Sequence, residues 1–272
     1  MDILGMPEGK LLLRDSNIGR VALQPGGVGR NIAQHVAQMG HHCTLLTAFG
    51  NDALANALCA SCVRSGIDIT HALMTEGSTC VYLCLHDETG DMLAAINDMR
   101  LTERLTVSYA AEHMDQINAA DLCVLDANPP VETVRYIAER ADVPILMDPV
   151  SCAKLDKARA ALPYLTAIKP NLMEAQALTG ETDPAACAKA LVRAGVKKAF
   201  ISLGVDGLLC ADKEDIRLLP VQRLSSAAKT GAGDALCAGL AVALASGENT
   251  FECAEYGMRC AAAFLENEEE DQ

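Results

Sequence analysis

No run of the 272 residues reaches about 18 uninterrupted apolar positions, the length needed for a membrane-spanning helix. The N-terminal Met-Asp-Ile-Leu-Gly has no basic stretch ahead of an apolar segment, so no secretory leader is expected and a cytoplasmic location is. Basic residues are in deficit: 22 Lys and Arg face 36 Asp and Glu, a formal net charge of −14. That balance argues against nucleic acid or an anionic membrane as partner, because either needs a positive surface. It leaves room for an anionic small molecule, since backbone N–H groups and a metal can supply a local positive field. No Gly-x-x-x-x-Gly-Lys-Ser/Thr sequence occurs anywhere, which excludes a P-loop. Repeats, low-complexity linkers and a clear domain boundary are also absent. Cysteine is plentiful at 12 residues, yet paired metal spacing is missing. The one Cys-x-x-Cys, Cys59–Cys62, lies in a helical pattern without a second pair, and Cys84, Cys123 and Cys237 sit singly in apolar runs.

What is present is alternation. Short apolar, β-branched segments at 43–49, 122–126, 145–148, 167–169, 199–203 and 208–211 are separated by amphipathic helical stretches. The helices are expected near 31–39, 53–65, 131–141, 173–179, 184–194, 234–246 and 251–265. Strands apolar on both faces, separated by helices, predict an α/β fold with a mainly parallel sheet covered on both sides. Two segments, 10–23 and 80–97, read instead as antiparallel strands with polar alternation, the second turning at Asp87-Glu-Thr-Gly90. They predict a small sheet projecting from the main one.

Four motifs carry chemistry. Thr230-Gly231-Ala232-Gly233-Asp234 opens a long apolar helix. Its N–H groups and helix dipole suit a phosphoryl group, and Asp234 is placed to accept a proton. A plain glycine turn with a helix-start acid would read the same way. Asn171-Leu-Met-Glu174 follows Lys169-Pro170 at a strand end. It is either a capping box or a pair of oxygen donors organising Mg²⁺ through water. Gly26-Gly27-Val28-Gly29-Arg30-Asn31 opens another helix. With Ile32 where a dinucleotide fingerprint needs its third glycine, it points to sugar hydroxyls rather than a dinucleotide. Ser202-Leu-Gly204-Val-Asp-Gly207 ends a strand before a hairpin, where a nucleotide could lie. Asp148-Pro149-Val150-Ser151 ends another strand, at the edge where open sheets gather ligands.

Taken in order, these motifs resemble those of the PfkB, or ribokinase-like, family of carbohydrate kinases over nearly the whole chain. The resemblance implies one domain over 1–272 with a ribokinase-like α/β fold and lid strands from about 10–25 and 78–99. It further implies Asp234 as catalytic base and Gly231, Ala232 and Gly233 as anion hole. Asn171 and Glu174 would organise Mg²⁺, with Lys169, Ser202, Gly204 and Gly207 near the nucleotide. Asp2, Gly26, Gly27 and Asn31 would hold the sugar. Within the family, Asp15-Ser-Asn17, Ala95–Met99, Asp126-Ala-Asn128 and Asp148–Ser151 resemble pseudouridine kinases, which adds Asp15, Asn17 and Asn128 to the substrate site. The resemblance implies ATP and Mg²⁺ as cofactors, is compatible with a monovalent cation such as K⁺, and points to a homodimer through the lid. The alternatives are a kinase for another nucleoside or sugar, such as adenosine or ribose, and an inactive ligand-binding homologue. Two departures stand out: Met1–Gly5 resembles the end of the family's opening pattern, so its first core strand is expected to be missing, and Lys229 stands where a Thr or similar polar residue is usual.

Overall fold

The computed structural model describes residues 1–221 and 231–270; Lys229 and Thr230 lie outside them. The chain begins with β1 (Asp2–Pro7), β2 (Gly19–Gln24), α1 (Val28–Gln38), β3 (Ala48–Phe49), α2 (Ala53–Arg64) and β4 (Leu73–Met74). A hairpin of β5 (Val81–His86) and β6 (Met92–Asp98) leads into the short helices α3 (Val107–Glu112) and α4 (Met114–Asn118). Alternation then sets in: β7 (Cys123–Asp126), α5 (Val131–Arg140), β8 (Ile145–Asp148), α6 (Leu155–Ala161) and β9 (Ala167–Ile168). After α7 (Leu172–Thr179), α8 (Pro184–Arg193) and β10 (Lys198–Ser202) come β11 (Leu208–Ala211) and β12 (Ile216–Leu219). Helices α9 (Ala232–Ala245) and α10 (Thr250–Glu270) end the described residues.

Six strands form the main sheet in the order β12-β11-β10-β9-β8-β7, with β7 to β10 parallel and β11 and β12 antiparallel at one edge. All four residues of β8 are buried, as a strand covered on both faces requires. One face carries a cluster built around Val134, Met147, Leu165, Ile168 and Leu191. The other carries Ile32, Leu146, Phe200, Leu240 and Cys237. At roughly 25 cal/mol per Å² of apolar area removed from water, these two clusters supply most of the driving force that orders the sheet. This is the predicted ribokinase-like α/β arrangement. Its consequence for function is directional: β7, β8, β9 and β10 all end at the same edge, and Asp126, Asp148, Lys169 and Ser202 lie there together.

A second sheet runs β2-β1-β5-β6, with β1 antiparallel to β2 and parallel to β5. Its expected strand ranges need correcting. Residues 2–7 form an inner strand of this sheet, and 8–18 are loop, so the strand expected from 10 begins only at Gly19. In that loop Arg14 adopts φ 65°, and the Asn17 side chain bonds both the N–H and the C=O of Leu12, giving the backbone local partners instead of a ladder. The hairpin at Asp87–Gly90 is as read, closed by Gly90 N–H donating to Asp87 C=O. The strand expected over 43–49 is shorter too: only Ala48 and Phe49 pair with β4, preceded by a lone bridge from Thr44 to Asp68. β7 is thus an edge of the main sheet, and β3 and β4 form a sheet of their own. Among the described residues no helix is long and apolar enough to cross a membrane.

Candidate functional site

Helix α9 is apolar on every side, with Ala235 to Ala241 all buried, so only its first turn can present polar groups. Gly231 caps it in the left-handed region at φ 107°, and a side chain there would press on the Phe264 ring. In the first turn the Asp234 N–H already donates to the Gly231 C=O, whereas the Ala232 and Gly233 N–H groups have no acceptor within the helix, as at any helix N-terminus. Asp234 stands in that turn. Its Oδ2 accepts a hydrogen bond from Asn31 Nδ2 at 2.8 Å, linking residues 203 positions apart. Burial raises the carboxyl to about 6; Asn31 and Lys169 oppose the shift, and the neighbouring Asp148 and Asp2 reinforce it. A carboxylate poised near neutral pH can take a proton from a hydroxyl.

Asn31 arrives by way of the glycine motif at the start of α1. Gly27 has φ 102°, and any Cβ on Gly26 would collide with the Asp2 carboxylate. These two glycines therefore let the chain turn into α1 directly against Asp2. Burial raises the Asp2 carboxyl, against the pull of the N-terminal ammonium and Arg30.

Beneath the first turn of α9 lies an interior ion pair. Lys169 Nζ sits 3.1 Å from Asp148 Oδ2, their side chains 9% and 6% exposed. A methyl group on Gly233 would lie 3.6 Å from that ammonium. Burial alone would lower the lysine, but Asp148, with help from Glu174, holds it above its ordinary value, so it stays charged. Asp148 is itself fixed by a tight turn in which Val150 takes φ 68° and donates its N–H to Asp148 Oδ1 at 2.8 Å. For a β-branched residue that backbone angle costs on the order of 1–3 kcal/mol, tolerated where the surroundings demand it.

Asn171 and Glu174 form a complete capping box. Asn171 Oδ1 accepts from the Glu174 N–H and Glu174 Oε2 from the Asn171 N–H, each at 2.9 Å. The cap and the metal readings coexist, because capping leaves Glu174 Oε1 over. Burial raises the Glu174 carboxyl, the backbone bond from Asn171 opposing. No cluster of three or more His, Cys, Asp or Glu side chains suited to a metal exists among the described residues. Among the described residues a protein-built cage is therefore not on offer. The donors fit a Mg²⁺ that keeps its waters and is carried in by phosphates, the usual habit of that ion.

The remaining predicted residues fall into two groups. Ser202 bridges Asn171 at the ends of β10 and β9, and Gly204 starts the single helical turn that follows. Gly207 is glycine because β12 runs past it: at φ 113°, a side chain would strike the Leu219 carbonyl. Asn128 lies at the end of β7, but its amide is occupied, donating to Asp126 Oδ2 at 2.7 Å and accepting from Lys154 Nζ at 2.5 Å. Asp15 and Asn17 sit on the exposed loop before β2, and their hydrogen bonds stay within it. The structure does not join them to the cluster around Asp234. It brings in two residues that stand inside the motifs without an assigned role there, Asp126 and Arg30. Asp126 lies 3.2 Å from where a Cβ on Gly29 would be, and Arg30 grips Asn31. The Asp126–Gly29 approach joins distant parts of the chain and leaves no local signal, whereas Arg30 and Asn31 are neighbours in sequence.

Comparison with known proteins gives a consistent result. The family model described as pfkB family carbohydrate kinase matches residues 4–270. The chain is 36% identical to the pseudouridine kinase of Escherichia coli strain K12, over 97% of this chain and 87% of that protein. It is 28% identical to the ribokinase of Bacillus subtilis strain 168, over 88% and 80% of the two chains. The crystal structure of Thermotoga maritima ribokinase superposes with a TM-score of 0.87 at 25% identity, covering 96% of this chain and 88% of that one.

Proposed function

The chain belongs to the pfkB family of carbohydrate kinases, and on that basis we propose that it transfers the γ-phosphoryl group of ATP to the 5′-hydroxyl of pseudouridine. The observation that carries the proposal is Asp234: a carboxylate raised to about 6 by burial, held by Asn31, at the N-terminal turn of α9. The substrate rests on the similarity to a pseudouridine kinase along almost the full chain.

In this reading Asp2, Gly26, Gly27 and Asn31 position the ribose, and Asn128, just after β7, is assigned to the substrate as well. Ser202, Gly204 and Gly207 flank the nucleotide. Asp234 orients the 5′-hydroxyl and takes its proton as the oxygen bonds to the γ-phosphorus. The bond between that phosphorus and the bridging oxygen breaks in line, and ADP leaves. The N–H groups of Gly231 to Gly233 and the Lys169 ammonium below them face the charge on the transferring group. Asn171 and Glu174 would hold a nucleotide-borne Mg²⁺ through water, and that ion would supply neutralisation of the phosphate charge. A kinase spending ATP on a nucleoside belongs in the cytoplasm, where we place it.

The test is a comparison of kcat/KM for pseudouridine, uridine and ribose at saturating MgATP. A preference for pseudouridine of at least about 10²-fold over ribose is expected, because a nucleoside site leaves its base-binding groups unpaired when only the sugar enters. Equal or better use of ribose would reassign the substrate to a free sugar.

The small sheet acts as the lid in this account and also as the dimer contact. Register places Val21, Leu23, Leu85 and Ile96 on one face, where they are 69%, 56%, 42% and 69% exposed. Apolar side chains grouped in this way mark an association surface. Sedimentation is expected to give a dimer and Val21→Asp with Ile96→Asp a monomer; a monomeric parent protein would remove the lid from the assembly.

A further inference from the structure

We infer that Arg30 is a positioning residue for Asp234, acting through the side-chain amide of Asn31. The inference rests on the reading of Asp234 as proton acceptor. Arg30 donates to Asn31 Oδ1 from Nη2 at 2.6 Å and from Nε at 3.2 Å. Its Nη1 is anchored one turn on, at Gln34 Oε1, 2.7 Å away. Asn31 Nδ2 then donates to Asp234 Oδ2.

A carboxamide is nearly symmetrical in shape, so its neighbours decide which end is oxygen and which nitrogen. A guanidinium offers only donors. Two of them aimed at one atom force that atom to be Oδ1, and the NH₂ must then face Asp234. Without Arg30 the amide is free to turn by half a revolution and set its oxygen against the carboxylate. Two acceptors tolerate each other only when the carboxyl is protonated, the form that cannot accept a proton. Arg30 thereby keeps the base both ionised and pointed. Its charge also favours the carboxylate at longer range, since Asp234 and Asp2 both lie within its field.

The groups facing Asp234 are few. Asn31 and Arg30 come from α1, Asp148 from the end of β8, Lys169 from the end of β9 and Asp2 from β1; Cys237 lies on its own helix. Among the described residues Asn31 supplies the only side-chain hydrogen bond to the carboxylate. Removing its lock should therefore be visible as titration and not only as lost rate.

The experiment compares pH profiles of kcat/KM for the wild-type protein, Arg30→Met and Arg30→Lys. Arg30→Met is expected to lose on the order of tenfold in kcat and to move the acid limb upward by about half to one pH unit. Arg30→Lys, still a donor-only cation, should restore much of both. An Arg30→Met profile with the wild-type acid limb overturns the inference, whatever its rate. A second readout needs neither a variant nor turnover: NMR of the Arg30 Nε–H and Asn31 Nδ2 protons in the unmodified protein. Both sets should titrate together with Asp234; an Arg30 signal flat through that range overturns the inference even if Arg30→Met does not fold. Failure of the wider reading has a separate sign, full turnover in Asp234→Asn.

Discussion

Asp234→Asn is expected to lower kcat by about 10²–10⁴-fold while the protein folds as well as before or slightly better. The rate falls because an amide of the same shape keeps the Asn31 contact but cannot take a proton. Stability is spared for a separate reason. The native carboxyl is raised to about 6 because burial penalises its charge, and a neutral amide carries no such penalty. Lost activity with an undiminished melting temperature would place Asp234 in the chemistry and outside the scaffold. The same shift fixes a pH dependence. The base works as carboxylate, so kcat/KM should be level above about pH 7 and fall about tenfold per unit below about pH 6. An acid limb centred near about pH 4, where an unperturbed aspartate titrates, would contradict the burial argument.

Lys169→Met is expected to cost about 3–5 kcal/mol of stability, because it strands the Asp148 carboxylate in the interior without a counter-charge. For a protein whose whole stability is on the order of 5–15 kcal/mol, that is a large share. Glu174 shares the neighbourhood and burial already raises its carboxyl, so a second acid loses its compensation as well. Pairing the change with Asp148→Asn removes the stranded charge and should recover most of the stability. Activity should not return, since the ammonium beneath Gly233 is still missing. Urea unfolding of the two single variants and the double variant measures this directly as a coupling energy. Additive losses, with no recovery in the double variant, would mean that the pair does not hold itself in balance. Recovery of turnover together with stability would make Lys169 a structural residue only.

Much of this molecule was legible in the sequence, and the exceptions share a cause. The alternation of apolar runs and amphipathic helices predicted the parallel sheet, because each element's pattern answers to its own layer. Gly231 to Asp234 and Asn171 to Glu174 were readable since their geometry is set within one helical turn. The capping box settled a local ambiguity without deciding against a metal: Asn171 and Glu174 cap α7, and one carboxylate oxygen is left over. The small sheet was only half visible. Its inner strand, β1, pairs with β5, far along the chain, and pairing at that distance leaves no mark in a short window of sequence. Asp15 and Asn17 were drawn into the site by a motif that the structure spends on closing a loop. The Lys169–Asp148 pair and the Asn31–Asp234 bond are contacts between elements. Those depend on which strand ends meet at one edge, a property of the assembled sheet.

The measurement that tests the central claim most directly is product analysis: ADP formation from MgATP with pseudouridine, and ³¹P NMR of the nucleoside product, on protein that unfolds cooperatively. The account predicts one ADP per nucleoside and a phosphate ester on the 5′-oxygen. A cooperatively folded protein that forms no ADP with pseudouridine, uridine or ribose would contradict it.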